Sequence, residues 1–304
     1  MKHLFFLFII TLTSCGVSYL TVPVQKPSEF NTSHFENASI GDFASLTSLT
    51  NEGKQIELVL SRALQNSKRF KVVDKNFAKS SSATTMLISG TVDEYHYIED
   101  DITYSTFKDE KGKQQTIFTR KGKVTLTITF QIASMEDGEL IGVKTLIENV
   151  SMETKGQNTK PVEISISDKM QMVARARENL VESFMKTILP YTVNIQVELK
   201  SDDEIPELAL GIEYAQKGDW KKAKELFKGS LKNGNSLNMH KAFYNMGIAC
   251  MYSYDFECAR NSFETAKNML PTDQLYTSML TKCNDMEFEY NELQAQQKVK
   301  TPRK

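Results

Sequence analysis

The chain has 304 residues and carries 37 Lys and Arg against 38 Asp and Glu, a formal net charge of −1. That balance offers none of the basic footprint that nucleic-acid binding requires, so no nucleic-acid partner is expected. A hydrophobic content of 40% argues against wholesale disorder, and the length suffices for two domains of roughly 100–200 residues each.

Met1-Lys2-His3 is followed by an apolar run, Leu4 to Leu12, and then by the small residues Thr13 and Ser14 before Cys15. A basic start, a short apolar run and small residues before a cut predict a secretory signal over 1–14. The run is far below the ~20 residues that span a bilayer. Leu12-Thr13-Ser14-Cys15 resembles the lipobox of bacterial lipoproteins. The resemblance implies cleavage before Cys15, a diacylglycerol on its thiol and an acyl chain such as palmitate on the new amine. Two or more chains hold stably on a membrane where one is marginal. Gly16-Val17-Ser18 contains no acidic residue. It thus resembles neither the inner-membrane retention signal nor the surface-export signal of such lipoproteins. The expected address is the outer membrane, facing the periplasm.

Residues 15–36 read as a lipidated tether with a short edge strand at Leu20 to Val24, since Pro23 is tolerated at a sheet edge. An α/β domain is expected over 37–197. Ala38 to Phe43 is its first strand candidate. Gly53 to Gln65 places Ile56, Val59, Leu60, Ala63 and Leu64 on one helical stripe. Phe70 to Asp74 and Thr84 to Tyr97 follow as strands rich in β-branched and aromatic residues. Thr103 to Phe107 is expected to pair with Gln115 to Thr119 across a polar turn. Val124 to Ile132 alternates apolar and polar residues as a half-buried strand does, and a turn at Asp137-Gly138 leads into Leu140 to Val150. A helix capped by Ser167 or Asp168 then runs to Leu189, where Pro190 stops it. The order predicts an α+β or mixed α/β sandwich. The acidic stretch 198–206 reads as a linker, and 298–304 as a basic frayed tail.

Beyond the linker, 207–297 is wholly helical in pattern and repeats itself. Gly211 and Gly247, Ala223 and Ala259, and Phe227 and Phe263 each stand 36 residues apart. With Leu210-Gly211-x-x-Tyr214 and the late Pro271, the spacing resembles the tetratricopeptide repeat. Cys250, Tyr254 and Ser230 depart from that pattern, and Gly234-Asn235-Ser236 is expected to hold a lengthened turn. Gln274 to Gln297 is expected to add a capping helix. The resemblance implies a concave, partner-binding face of Leu208, Ile212, Gln216, Tyr244, Ile248, Met251 and Tyr252. The alternative for that face is packing against the first domain.

Leu60 to Asp74, with its Ser67-x-x-Phe70-x-Val72-Val73-Asp74 phrase, resembles a group of envelope lipoproteins that includes the curli secretion subunit and the penicillin-binding-protein activators. Met86 to Val92 and the Val124 to Ile141 hairpin fit the same group, over about 37–190. Such a domain followed by helical repeats is similar to a Bacteroidetes lipoprotein family. Partner binding or homo-oligomerisation is what the resemblance implies.

After Cys15 only Cys250, Cys258 and Cys283 remain; one pair bridged and all three free are both open. His34, His96 and His240 lack the i, i+4 partner of a helical metal pair, and no nucleophile elbow or phosphate loop is present. No catalytic residue, metal or cofactor beyond the lipid at Cys15 is expected, and the chain reads as no enzyme. The leading expectation is a membrane-anchored adaptor that binds an envelope protein. A curli-type secretion channel comes second, and a hydrolase with an unrecognised site third.

Overall fold

The computed structural model describes residues 16–47, 51–76, 82–157, 162–232 and 237–298. Cys15, the expected leader 1–14, the turn at Gly234 to Ser236 and tail residues 299–304 lie outside them. In chain order the elements begin β1 (Val17–Lys26), β2 (Asn37–Ser45), α1 (Glu52–Ser67), β3 (Lys71–Val72), β4 (Thr85–Glu99), β5 (Thr103–Lys108) and β6 (Gln114–Ser134). They continue with β7 (Leu140–Gln157), α2 (Ile166–Ile188) and β8 (Tyr191–Lys200). The helices α3 (Pro206–Gln216), α4 (Trp220–Ser230), α5 (Met239–Tyr252), α6 (Phe256–Met269) and α7 (Gln274–Lys298) close the chain. The fold is mixed α/β, and the chain divides into two compact units near 27/28 and 191/192. No helix among the described residues is long and apolar enough to cross a membrane.

The α/β unit, from Ser28 to Tyr191, is built on a six-stranded sheet of order β3-β2-β4-β6-β5, with β7 on the free side of β6. β2 runs parallel to β3 and β4; β4, β5 and β7 each run antiparallel to β6. Alternation along β6 explains its two faces. Val124, Leu126, Ile128, Phe130 and Ile132 are all fully buried on one side. On the other, hydroxyls link the strands: Thr125 to Asn149 at 2.8 Å, Thr129 to Thr145 at 2.7 Å and Thr129 to Asp93 at 2.6 Å.

α1 and α2 cover the apolar face. The stripe expected on α1 is present, with Ile56, Leu60 and Leu64 fully buried. α2 sends in Val173, Ala176, Leu180, Phe184 and Ile188, and Phe184 stacks on Phe130 with ring centroids 4.1 Å apart. Burial of each of these side chains except that of Ala176 stabilises by about 1.5–3 kcal/mol. The cap of α2 is Ser165 rather than Ser167 or Asp168. Its hydroxyl accepts from the Asp168 N–H while the Asp168 carboxylate accepts from the Ser165 N–H, a reciprocal capping box.

The helical unit departs from the expected all-α region because it contains two strands. β1 and β8 pair as a separate ribbon, and both belong to the unit of α3 to α7. The segment read as a tether is therefore a ten-residue strand, and the stretch read as a linker opens with the end of β8, with α3 starting at Pro206. The physical reason is apolar alternation. Leu20, Val22 and Val24 of β1 and Val197 and Leu199 of β8 are buried in the same core as Leu208, Ile212, Tyr244 and Ile248.

α3 packs on α4, α4 on α5 and α5 on α6. Gly211 lies against the Phe227 ring and Gly247 against the Phe263 ring. A Cβ at either glycine would fall 2.3 or 2.6 Å from ring carbon. The same offset governs the caps: Asp219 accepts from the Lys222 N–H at 2.9 Å and Asp255 from the Cys258 N–H at 3.2 Å.

Candidate functional site

The helical face expected to hold a partner is occupied by the chain's own ribbon. Asn245, fully buried on α5, accepts from the Lys200 N–H through its Oδ1 at 2.9 Å. Its Nδ2 donates to the Lys200 carbonyl at 2.7 Å. Tyr244 Oη donates to the Glu198 carbonyl at 3.1 Å. Side chains of α5 thus replace the neighbouring strand that β8 would otherwise need, and a strand edge with such partners is not an open template.

Of the seven residues predicted for that face, Leu208, Ile212, Tyr244, Ile248, Met251 and Tyr252 are buried, while Gln216 is exposed. Tyr244, Ile248 and Tyr252 line a small cavity beside β8; Leu208, Ile212 and Met251 belong to the closed core. These six are therefore not a free docking surface. The occupant is the β1–β8 ribbon, and most of β8 falls within the span 37–197 expected to form the α/β domain.

Polar groups brace the end of β8. Lys200 Nζ reaches Asp273 at 2.7 Å and sits 4.7 Å from the Tyr276 ring centroid. Lys241 pairs with Asp202 at 2.6 Å, both almost wholly buried. His240 Nδ1 lies 2.6 Å from Tyr276 Oη. Burial, and then the Lys200 and Lys241 ammoniums, hold the His240 imidazole below its ordinary value. Burial works to raise Asp202 and Asp273, but their lysine partners hold both carboxyls below the usual range. Lys and Asp beyond the repeat, hydrogen-bonded in pairs, act here as structural ties.

Cys250 and Cys258 are joined in a disulfide between the end of α5 and the start of α6, and Cys283 is a buried free thiol. Asp255 lies close to both bridged sulfurs, and these three form the one group of potential metal ligands among the described residues. With both sulfurs in the disulfide, the group keeps a single anionic ligand, Asp255, which is already paired with Lys224 at 2.6 Å.

The open site is in the α/β unit. A cleft of about 590 Å³ lies between the start of α1 and the first turns of α2. Its wall carries a charged pair contributed by residues 125 apart in sequence: Arg177 donates to Glu52 through Nε at 2.5 Å and Nη2 at 3.0 Å. Glu52 is only 5% exposed. Asn51, Gln55, Tyr95 and Lys169 complete the polar lining. Lys169 pairs with Glu99 at 2.8 Å and lies over the Tyr97 ring. That hydrogen bond from Lys169, and one from Tyr97, hold the Glu99 carboxyl below its usual range. The other wall is apolar: Val173 and Ala174, with Ile166 and Met170 standing 77% and 68% exposed at the mouth.

None of these cleft residues was predicted as a binding residue from the sequence, Val173 being read only as part of the apolar stripe of its helix. Glu52, Tyr95 and Arg177 come from three elements, and no local motif ties them. Ile166 and Met170 did carry a signal, as apolar residues off the buried stripe of α2.

No protein family's sequence profile matches the chain, and no curated protein matches it. Among solved structures, it is similar to the PelC dodecamer from Paraburkholderia phytofirmans, with 14% identity over 56% of this chain and 98% of that one, at a TM-score of 0.31. A minor lipoprotein from Acinetobacter baumannii matches at 13% identity over 50% and 91%, TM-score 0.28. The rare lipoprotein B from Shewanella oneidensis matches at 12% over 49% and 92%, TM-score 0.23. Bacterial lipoproteins are thus among the structures this chain is similar to, and likeness at these scores carries no argument about function.

Proposed function

We propose that this chain is a lipid-anchored, non-catalytic adaptor of the bacterial cell envelope, fixed through Cys15 to the outer membrane and facing the periplasm. The anchor rests on Leu12-Thr13-Ser14-Cys15 after the apolar run. The adaptor reading rests on the α1–α2 cleft, where exposed Ile166 and Met170 flank a buried Arg177–Glu52 pair. An open apolar rim around fixed polar groups is the usual build of a binding site. The helical unit supports this role as a pair of tetratricopeptide-like hairpins. The Gly211–Phe227 and Gly247–Phe263 contacts, and the Asp219 and Asp255 caps, recur at one offset of 36 residues, two more than the usual ~34 of such repeats. In this chain those hairpins hold their own strand ribbon, which leaves partner binding to the cleft.

A photo-crosslinking amino acid at Met170, in cells expressing the full chain, tests the reading. A discrete envelope protein captured at Met170, and not from an exposed position such as Lys228 on α4, is the expected result. Equal capture from both positions would sink it. Cys15→Ala should move the protein from the membrane to the soluble fraction.

The secretion-channel reading ranks below. β6 and β7, of 21 and 18 residues, are long enough to cross a bilayer as tilted strands. Their shared far end carries Arg120, Lys121, Lys123, Glu153 and Lys155, charges that a lipid-facing band excludes. Homo-oligomerisation through the β7 edge is compatible with the adaptor reading.

A further inference from the structure

A second cavity, of about 270 Å³, lies within the helical unit between the β1–β8 ribbon and helices α5 and α7. It is smaller than the ~300–1,000 Å³ typical of drug-sized ligands. Three tyrosines, Tyr19, Tyr244 and Tyr252, form its walls with Ile248 and Met279. Two charged residues of opposite sign, Glu198 on β8 and Lys282 on α7, also line it.

Those two charges stand out against their surroundings. Around them Lys26 pairs with Glu289, Lys200 with Asp273 and Lys241 with Asp202. Glu198 and Lys282 take part in no ion pair among the described residues, with each other or with anything else. Glu198 uses only its backbone carbonyl, towards Tyr244 Oη. Lys282 is half-buried, and burial with the nearby Lys26 pushes its ammonium down. Tyr252, 7% exposed, has a hydroxyl with no hydrogen-bond partner. Partly desolvated charges without partners are costly, and they are kept where a ligand supplies the missing charge.

We propose that this cavity binds a small zwitterion of the α-amino-acid class, its ammonium against Glu198, its carboxylate against Lys282 and its side chain among the tyrosines. A zwitterion satisfies both residues at once. An anion alone would face Glu198 with like charge, and a cation alone would do the same to Lys282. The aromatic walls suit an apolar or aromatic side chain and can take the ammonium over a ring face. The proposal is independent of the adaptor reading, because the cavity and the α1–α2 cleft share no residue.

Trp220 provides the readout. It is the only tryptophan in the chain, and it stacks on Tyr252 with ring centroids 4.9 Å apart. L-phenylalanine and L-leucine would be titrated into the purified full chain, following Trp220 emission and heat by calorimetry. Phenylacetate and phenethylamine are the single-charge controls. Saturable binding of at least one amino acid is expected, with both controls weaker by about tenfold or more. Lys282→Met and Glu198→Gln should each weaken that binding by about tenfold while leaving the thermal unfolding midpoint in place. No saturable binding of either amino acid, controls that bind equally well, or a Lys282→Met protein that binds as the parent does would each overturn the proposal. Should a variant unfold, Lys282→Arg, which keeps the charge, must retain binding.

Discussion

Replacing Asn245 with alanine tests the ribbon-filled helical face most directly. The amide makes two hydrogen bonds, from the Lys200 N–H at 2.9 Å and to the Lys200 carbonyl at 2.7 Å. Among the described residues no other side chain bonds those two backbone groups. Leaving a buried backbone group unsatisfied costs ~1–3 kcal/mol, so two would cost about 2–6 kcal/mol. Lys200 is half-buried at the end of β8, where water can replace part of the loss. We therefore expect a destabilisation of about 3 kcal/mol for Asn245→Ala, the lower middle of that range. Asn245→Asp keeps the acceptor for the N–H but places a carboxylate against the Lys200 carbonyl, and should cost at least as much. Urea unfolding followed by Trp220 emission reports on the helical unit alone, since that tryptophan lies on α4. Amide exchange over β1 and β8 should rise in parallel. A shift below about 0.5 kcal/mol, the range of ordinary surface changes, with unchanged exchange in β8, would refute the claim that α5 holds the strand edge.

Three further outcomes follow from the same geometry. Gly247→Ala places a methyl 2.6 Å from the fully buried Phe263 ring; overpacking of about 1–3 kcal/mol should exceed the gain of ~1 kcal/mol in helix propensity. A stable Gly247→Ala protein by urea unfolding would contradict the close packing, and Phe263→Leu should rescue it. In the α/β unit, Arg177→Met leaves Glu52 buried without its partner and should cost about 2–4 kcal/mol, reduced from the fully buried case because Arg177 is 14% exposed. The double change Glu52→Gln with Arg177→Met should recover at least 1 kcal/mol of that by circular dichroism. The third outcome concerns pH. His240 is held below its ordinary 6.5 in the folded state, so the unfolded chain binds the proton more readily. Its contribution is complete above about 6.5 and is lost as pH falls from there towards the lowered folded value. Asp202 and Asp273, also held below their ordinary 3.8, lose theirs only at still lower pH. The unfolding midpoint should fall between pH 7 and pH 5, and His240→Asn should flatten that fall; identical slopes would count against it.

Periodicity carried most of the element assignments. The stripe on α1 and the pairing across Lys108-Asp109 are local patterns that α1 and β5 match closely, while the strands expected at Gln115 to Thr119 and Val124 to Ile132 are joined in the single strand β6. The 36-residue offset marked Gly211 with Gly247 and Phe227 with Phe263 as equivalent positions, and the structure seats each glycine on the phenylalanine of its own hairpin. It held a further regularity that went unread, since Asp219 and Asp255 stand at the same offset and cap α4 and α6 alike. The cysteines remained undecided in one dimension, because eight residues of separation permit a bridge without requiring it; the turn between α5 and α6 brings Cys250 and Cys258 together.

What the residues determined by themselves is the Leu12-to-Cys15 signature and the two kinds of periodicity, both local properties of consecutive side chains. What only the tertiary structure decided is what each face meets. Leu20, Val22 and Val24 declared a strand, yet nothing near them in sequence names Val197 and Leu199 as neighbours or α5 as the wall. The same holds for Glu52 and Arg177, and for Glu198 and Lys282. Long-range pairing depends on chain topology, which a window of neighbouring residues does not encode. Hence six of the seven side chains expected to receive a partner turned inward, and the open cleft formed where no motif had marked it.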